Sequence, residues 1–167
     1  DLLLRLSKNV VLALDADSAG IASAERSARL ALGKGMEVKV AALPEGMDPA
    51  DLIKDDPQKW KAAIREAVPI VDFLLALHQR RERDPRKFQA RVREGVLPFI
   101  ALMKSSIDQA HFVKRVAEAL SVPMEAVWAD LARVPQGEGG QRSSYEEETA
   151  PVEKTTLSRR ESLLRTL

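Results

Sequence analysis

The first clear pattern along the chain is a short apolar run, Val10 to Leu14, led by β-branched residues and bounded by Lys8-Asn9 and Asp15. A run of this length between turn residues predicts a buried strand. From Ser18 the period changes: Ile21, Ala24, Ala28, Ala31 and Leu32 recur at steps of three and four, so they share one face of a helix that Gly33 and Gly35 stop. Met36 to Leu43 alternates at first and predicts a second strand. Strand, helix and strand in such close succession predict a βαβ crossover and a parallel sheet. Pro44 to Ile53 then predicts a turn feeding a short helix, with Asp48 as its cap and Pro49 at its first position.

All that follows, as far as Val134, has a helical period. Trp60, Ile64 and Ala67 form one stripe, which Val71, Leu74, Leu75 and His78 continue after Pro69. Phe88, Val92, Val96, Phe99 and Ile100 form the next. Ile107, Ala110, Val113, Ala117 and Leu120 follow, then Val127, Trp128 and Leu131 after a start at Ser121 to Pro123. Short loops between these stripes predict an antiparallel helical bundle. The expected fold class is therefore α/β followed by all-α: a Rossmann-like parallel sheet with a C-terminal helical bundle. From Pro135 to Thr156 the chain turns to Gly, Gln, Ser, Thr and Glu, the composition of a disordered linker or tail. "LSRRESLLRTL" then begins another amphipathic helix. At the other end "DLLLRLSKN" reads as a helix already under way, so the chain is expected to be a piece of a longer protein.

Composition narrows this picture only in places. Of the 167 residues 45% are hydrophobic and 31% charged, the balance of a globular protein, and 4% aromatic, so the core must be aliphatic. A net charge of +1 says nothing about nucleic acid, and any such surface would have to be local. The absence of cysteine excludes disulfides, a thiol nucleophile and thiolate zinc sites within this chain. No apolar stretch is long enough to span a bilayer, so no membrane partner is expected.

The chemistry concentrates in "VVLALDADSAG". Alternate residues of an extended segment point to one side, so Asp15 and Asp17 can aim both carboxylates at one point. They lie where a parallel strand hands over to a helix, the edge at which open α/β sheets bind ligands. Paired acids repel unless a cation compensates, and hard oxygen donors suit Mg²⁺. The plainer reading is that Asp17 or Ser18 caps the following helix while Asp15 decorates a loop. A phosphotransferase of the haloacid-dehalogenase kind, with the first Asp as nucleophile, lacks its later motifs here. "LPEGMDPADLI" follows the second strand, so Asp48 and Asp51 arise at the same sheet edge.

Together the apolar run with Asp15, Asp17, Ala19 and Gly20, the helix, the strand and the "LPEGMDPADLI" turn resemble the second half of the TOPRIM domain of bacterial replicative DNA primases. The resemblance spans Val10 to Val134. It implies a partial TOPRIM fold and a nucleotidyltransferase that makes short RNA primers from NTPs on a single-stranded DNA template during replication. It implies Mg²⁺, or Mn²⁺, held by Asp15, Asp17 and Asp48, with Asp15 bridging metals. Asp51 is a further acidic candidate, because Ala50 stands where many relatives carry another acid. It implies that the catalytic glutamate, the template-gripping basic region and a Zn²⁺ domain precede this segment, so the isolated chain is expected to make no primer. The expected division is residues 1–55 as the later part of TOPRIM, 56–134 as the helical subdomain, 135–156 as linker and 157–167 as the start of a domain that docks on the replicative helicase. The setting implied is the bacterial cytoplasm, at the replication fork. A topoisomerase or nuclease of the same fold, or a TOPRIM domain kept only for binding, are the alternatives; the sole tyrosine, Tyr145, falls in the linker, where a topoisomerase nucleophile would not.

Three other features have plain readings. "HQRRERDPRKFQARVR", His78 to Arg93, reads as two solvated helix faces with Glu82 and Asp84 as local partners, in preference to a nucleic-acid patch, because no aromatic residues interleave to stack bases. His78 and His111 read as packing or surface residues. Trp60 and Trp128 read as buried anchors.

Overall fold

The computed structural model describes residues 2–14, 17–43 and 48–135. Element order is α1 (Leu2–Leu6), β1 (Asn9–Leu14), α2 (Ser18–Gly33), β2 (Glu37–Ala42), α3 (Pro49–Asp55), α4 (Pro57–Arg65), β3 (Val68–Pro69), α5 (Ile70–Arg81), α6 (Pro85–Gly95), α7 (Leu97–Ala101), α8 (Ser106–Leu120) and α9 (Met124–Leu131). The fold is α/β followed by all-α, as the apolar pattern predicts.

β1 and β2 are parallel and in register from Asn9 opposite Glu37 to Leu14 opposite Ala42, with α2 as the crossover. α2 ends in a Schellman arrangement: Met36 N–H donates to Ala31 C=O at 3.0 Å and Gly35 N–H to Leu32 C=O at 2.8 Å. Gly35 takes φ +80°, and this positive φ is what ends the helix and turns the chain into β2.

The sheet is mixed and not wholly parallel. β3 pairs antiparallel with β2, Lys39 opposite Pro69 and Val40 opposite Val68. This two-residue strand falls at Pro69, between two segments that the sequence predicts to be helical, where it predicts no strand. Pro69 is tolerated because β3 is an edge strand in the order β1-β2-β3, where one missing N–H breaks no inner ladder. The predicted stripe of Trp60, Ile64 and Ala67 therefore ends early: α4 stops at Arg65 and buries none of its residues fully.

One core runs from the sheet into the helices. Ala28 and Leu32 of α2 and Val38 and Val40 of β2 join Ile70, Val71 and Leu74 of α5, Val92 of α6, Phe99 and Ile100 of α7, Val113 and Val116 of α8, and Val127 and Leu131 of α9. The opposite face of the sheet is open at Val11 and Lys39, which oppose each other and are both exposed. Two predicted core positions are on the surface: Ile107 is 79% exposed in the first turn of α8, and Trp128 is 36% exposed. Leu2, Leu3 and Leu6 of α1 are exposed as well.

Candidate metal centre

Because β1 and β2 are parallel and in register, both strands deliver the chain to the same edge of the sheet. Three residues beyond β1, Asp17 has extended backbone angles and caps α2, its Oδ1 accepting the Gly20 N–H at 2.6 Å. Six residues beyond β2, Asp48 does the same for α3, its Oδ1 accepting the Asp51 N–H at 2.7 Å, with Pro49 at the first helical position. At the fully extended reach of a chain, Asp17 can stand no more than about 10 Å from its strand end and Asp48 about 20 Å.

The two acids are thus built alike: strand, acid, helix, with one carboxylate oxygen satisfied by the third N–H of the helix. Both are exposed, and no described residue occupies the second oxygen of either. The capping reading and the ligand reading do not compete, since a carboxylate has four lone-pair directions and the cap uses one. The cap also orients the side chain, so the remaining oxygen is presented in a fixed direction. Asp51 sits in the first turn of α3, exposed, where its negative charge suits the helix N-terminus. Asp15 lies outside the described residues, as do Tyr145 and the predicted linker and terminal helix. Among the described residues no group of three or more His, Asp or Glu side chains comes together as a metal set. The donors that are described, exposed carboxylate oxygens of Asp17 and Asp48, are of the hard kind that Mg²⁺ takes.

A cleft of about 330 Å³ lies elsewhere, at the other end of β2, between Glu37 to Lys39 and the start of α8. Among the described candidate acids, Asp17, Asp48 and Asp51 do not line it, so this cleft and the acidic edge are separate features. His111 borders this cleft and stands edge-on to Phe112, their ring centres 5.1 Å apart.

His78 is buried on α5 with Nε2 lacking a hydrogen-bond partner. Gly95 closes on it: a Cβ at that position would stand 2.8 Å from Nε2. Burial holds the imidazole below its ordinary value of 6.5, and the charges of Arg91 and Arg81 push the same way. Glu25 of α2, also buried, moves upward through burial, opposed by Arg29 and Arg81. Arg29 lies 3.7 Å from the Glu25 carboxylate and stacks over the Phe99 ring at 4.8 Å. The apolar stripe containing His78 signals its burial in the sequence; the contact with Gly95, from another helix, has no signal there.

Over residues 1–53 the chain matches the Toprim-like family model. The fold and the acidic edge thus define a Toprim-like α/β unit with helices packed behind it. The curated relatives similar to it in sequence are bacterial DNA primases. The DNA primase of Halalkalibacterium halodurans is 28% identical over 134 residues, covering 78% of this chain and 22% of the relative. That of Geobacillus stearothermophilus is 29% identical over 153 residues, covering 89% and 25%. A DNA primase domain from Pseudomonas aeruginosa superposes with a TM-score of 0.64 at 21% identity, covering 79% of this chain and 43% of that one. A DnaG primase catalytic domain bound to ssDNA gives 0.63 at 23% identity, covering 75% and 41%. The chain is similar to a segment of these DNA primases and spans about a quarter of the length of the curated relatives it matches.

Proposed function

We propose that this chain supplies the aspartate side of the metal centre with which a primase joins ribonucleotides on a single-stranded DNA template. The observation that carries the reading is the shared sheet edge: Asp17 and Asp48 each cap a helix with one oxygen and leave the other to solvent. Asp15, one residue from the end of β1, completes the acidic set, with Asp51 as a further candidate. Bound Mg²⁺ would lower the charge barrier at the nucleotide α-phosphate and stabilise the pyrophosphate that leaves. The role of the chain's own residues is to concentrate negative charge at that edge and hold it rigidly. The caps fix Asp17 and Asp48 on the ends of α2 and α3, and α2 is anchored through Ala28 and Leu32 in the core. Mutual repulsion of the carboxylates favours a cation between them over a bare site. Replicative helicase, the docking partner that the resemblance implies, and a cytoplasmic setting belong to the same reading.

In the full-length protein, Asp15→Asn and Asp17→Asn abolish primer synthesis on single-stranded DNA while leaving the thermal unfolding midpoint unchanged. Unaltered primer yield from both variants would remove the metal assignment.

A further inference from the structure

Residues 80–93 contain seven Arg or Lys against two acids, a local charge of +5 in a chain whose net charge is +1. All seven, Arg80, Arg81, Arg83, Arg86, Lys87, Arg91 and Arg93, are exposed, and among the described residues none has a carboxylate within ion-pair distance. The two acids of the stretch are engaged with backbone instead. Asp84 caps α6, its Oδ1 accepting the N–H groups of Arg86 at 2.8 Å and Lys87 at 3.2 Å, and Glu82 Oε1 accepts the Asp84 N–H at 3.3 Å. The sequence expectation that Glu82 and Asp84 partner these cations is therefore not met.

Local stability does not account for the arrangement. Arg80 and Arg81 suit the C-terminal end of α5, but Arg86 and Lys87 stand in the first turn of α6, where the helix dipole disfavours cations. Lys87 and Arg91 repel each other one turn apart. α5 and α6 pack against each other, Gly95 of α6 closing on His78 of α5, so the charges of the two helices lie on adjoining elements. That surface carries no exposed apolar anchor: Phe88 and Val92 are buried beneath it. A protein partner would want an apolar centre ringed by polar groups. A polyphosphate backbone wants only the charge, and six of the seven cations are arginines, whose forked donors match phosphate oxygens.

We propose that the α5–α6 junction is a nucleic-acid contact surface, separate from the acidic edge, that grips the phosphate backbone without reading bases. It holds a strand by counterion release and leaves sequence choice to other parts of the protein.

The test is fluorescence anisotropy of this chain with a labelled oligothymidylate and with a random-sequence duplex, in EDTA, across a salt series. The EDTA keeps the result independent of the metal reading. Arg86→Gln/Arg93→Gln should weaken binding on the order of tenfold and flatten the single-strand salt slope by about 1.4, two contacts' worth. Lys59→Gln/Lys114→Gln removes the same charge from elsewhere and should leave the slope unchanged. Circular dichroism melting confirms that both variants fold. An unchanged slope in the α6 variant, equal loss in the lysine variant, or stronger competition by polyglutamate than by oligothymidylate of equal charge would overturn the proposal. The last outcome would mark the surface as a site for an acidic protein.

Discussion

Asp17 and Asp48 each have two tasks, and substitution can separate them. Asparagine keeps an oxygen that accepts the helix N–H but removes the charge; alanine removes both. Asp48→Asn should therefore hold stability to within a few tenths of a kcal/mol, whereas Asp48→Ala should lose about 1 kcal/mol in urea unfolding. Mn²⁺ affinity, read by calorimetry, should fall equally in the two. His78 is the other residue with a definite consequence. Its folded-state pKa lies below 6.5, so the unfolded chain takes up the proton first as pH falls. Its contribution to stability is full above that value and is lost as pH drops through the folded-state value. Urea midpoints at pH 7 and pH 5 should therefore differ. Arg91→Gln removes one of the charges that oppose protonation, so the imidazole should titrate higher by NMR and the acid loss should shrink.

At the scale of elements, caps explain most of the helix starts. Asp17, Asp48, Asp56, Asp84 and Ser105 each accept N–H groups of the helix they precede. The Lys59 and Gln58 N–H groups hold the Asp56 carboxyl below its ordinary value. Such short polar residues before an apolar period are plain in a sequence, which is why the starts of α2 and α3 could be read there. β3 could not. Two residues ending in proline carry no strand signal, and Val68–Pro69 is a strand because β2 presents an open edge to it. The acids of the α5–α6 junction were also readable as residues but not as partners. Whether Asp84 answers an arginine or a backbone N–H depends on rotamers that the chain's order does not specify.

For the molecule as a whole, burial separates side chains that share a helical stripe. Phe99 is fully buried beneath Arg29, while Trp128, equally in phase with its helix, is 36% exposed. Phe99→Ala should cost about 3–5 kcal/mol in equilibrium unfolding, and Trp128→Ala well under that. Between α5 and α8, Arg115 reaches within 2.9 Å of Asp72 Oδ1 as an ion pair, without the alignment of a hydrogen bond. Periodicity, caps and turn residues are local properties. They were enough to read the βαβ unit, the helices behind it, and the acids that would leave the sheet together. The antiparallel third strand, the exposed tryptophan, the imidazole pressed against Gly95 and the unpaired cations of the α5–α6 junction all depend on residues far apart in the chain. Those contacts arise only when separate elements pack, because burial and pairing are properties of the space between elements and not of any one of them.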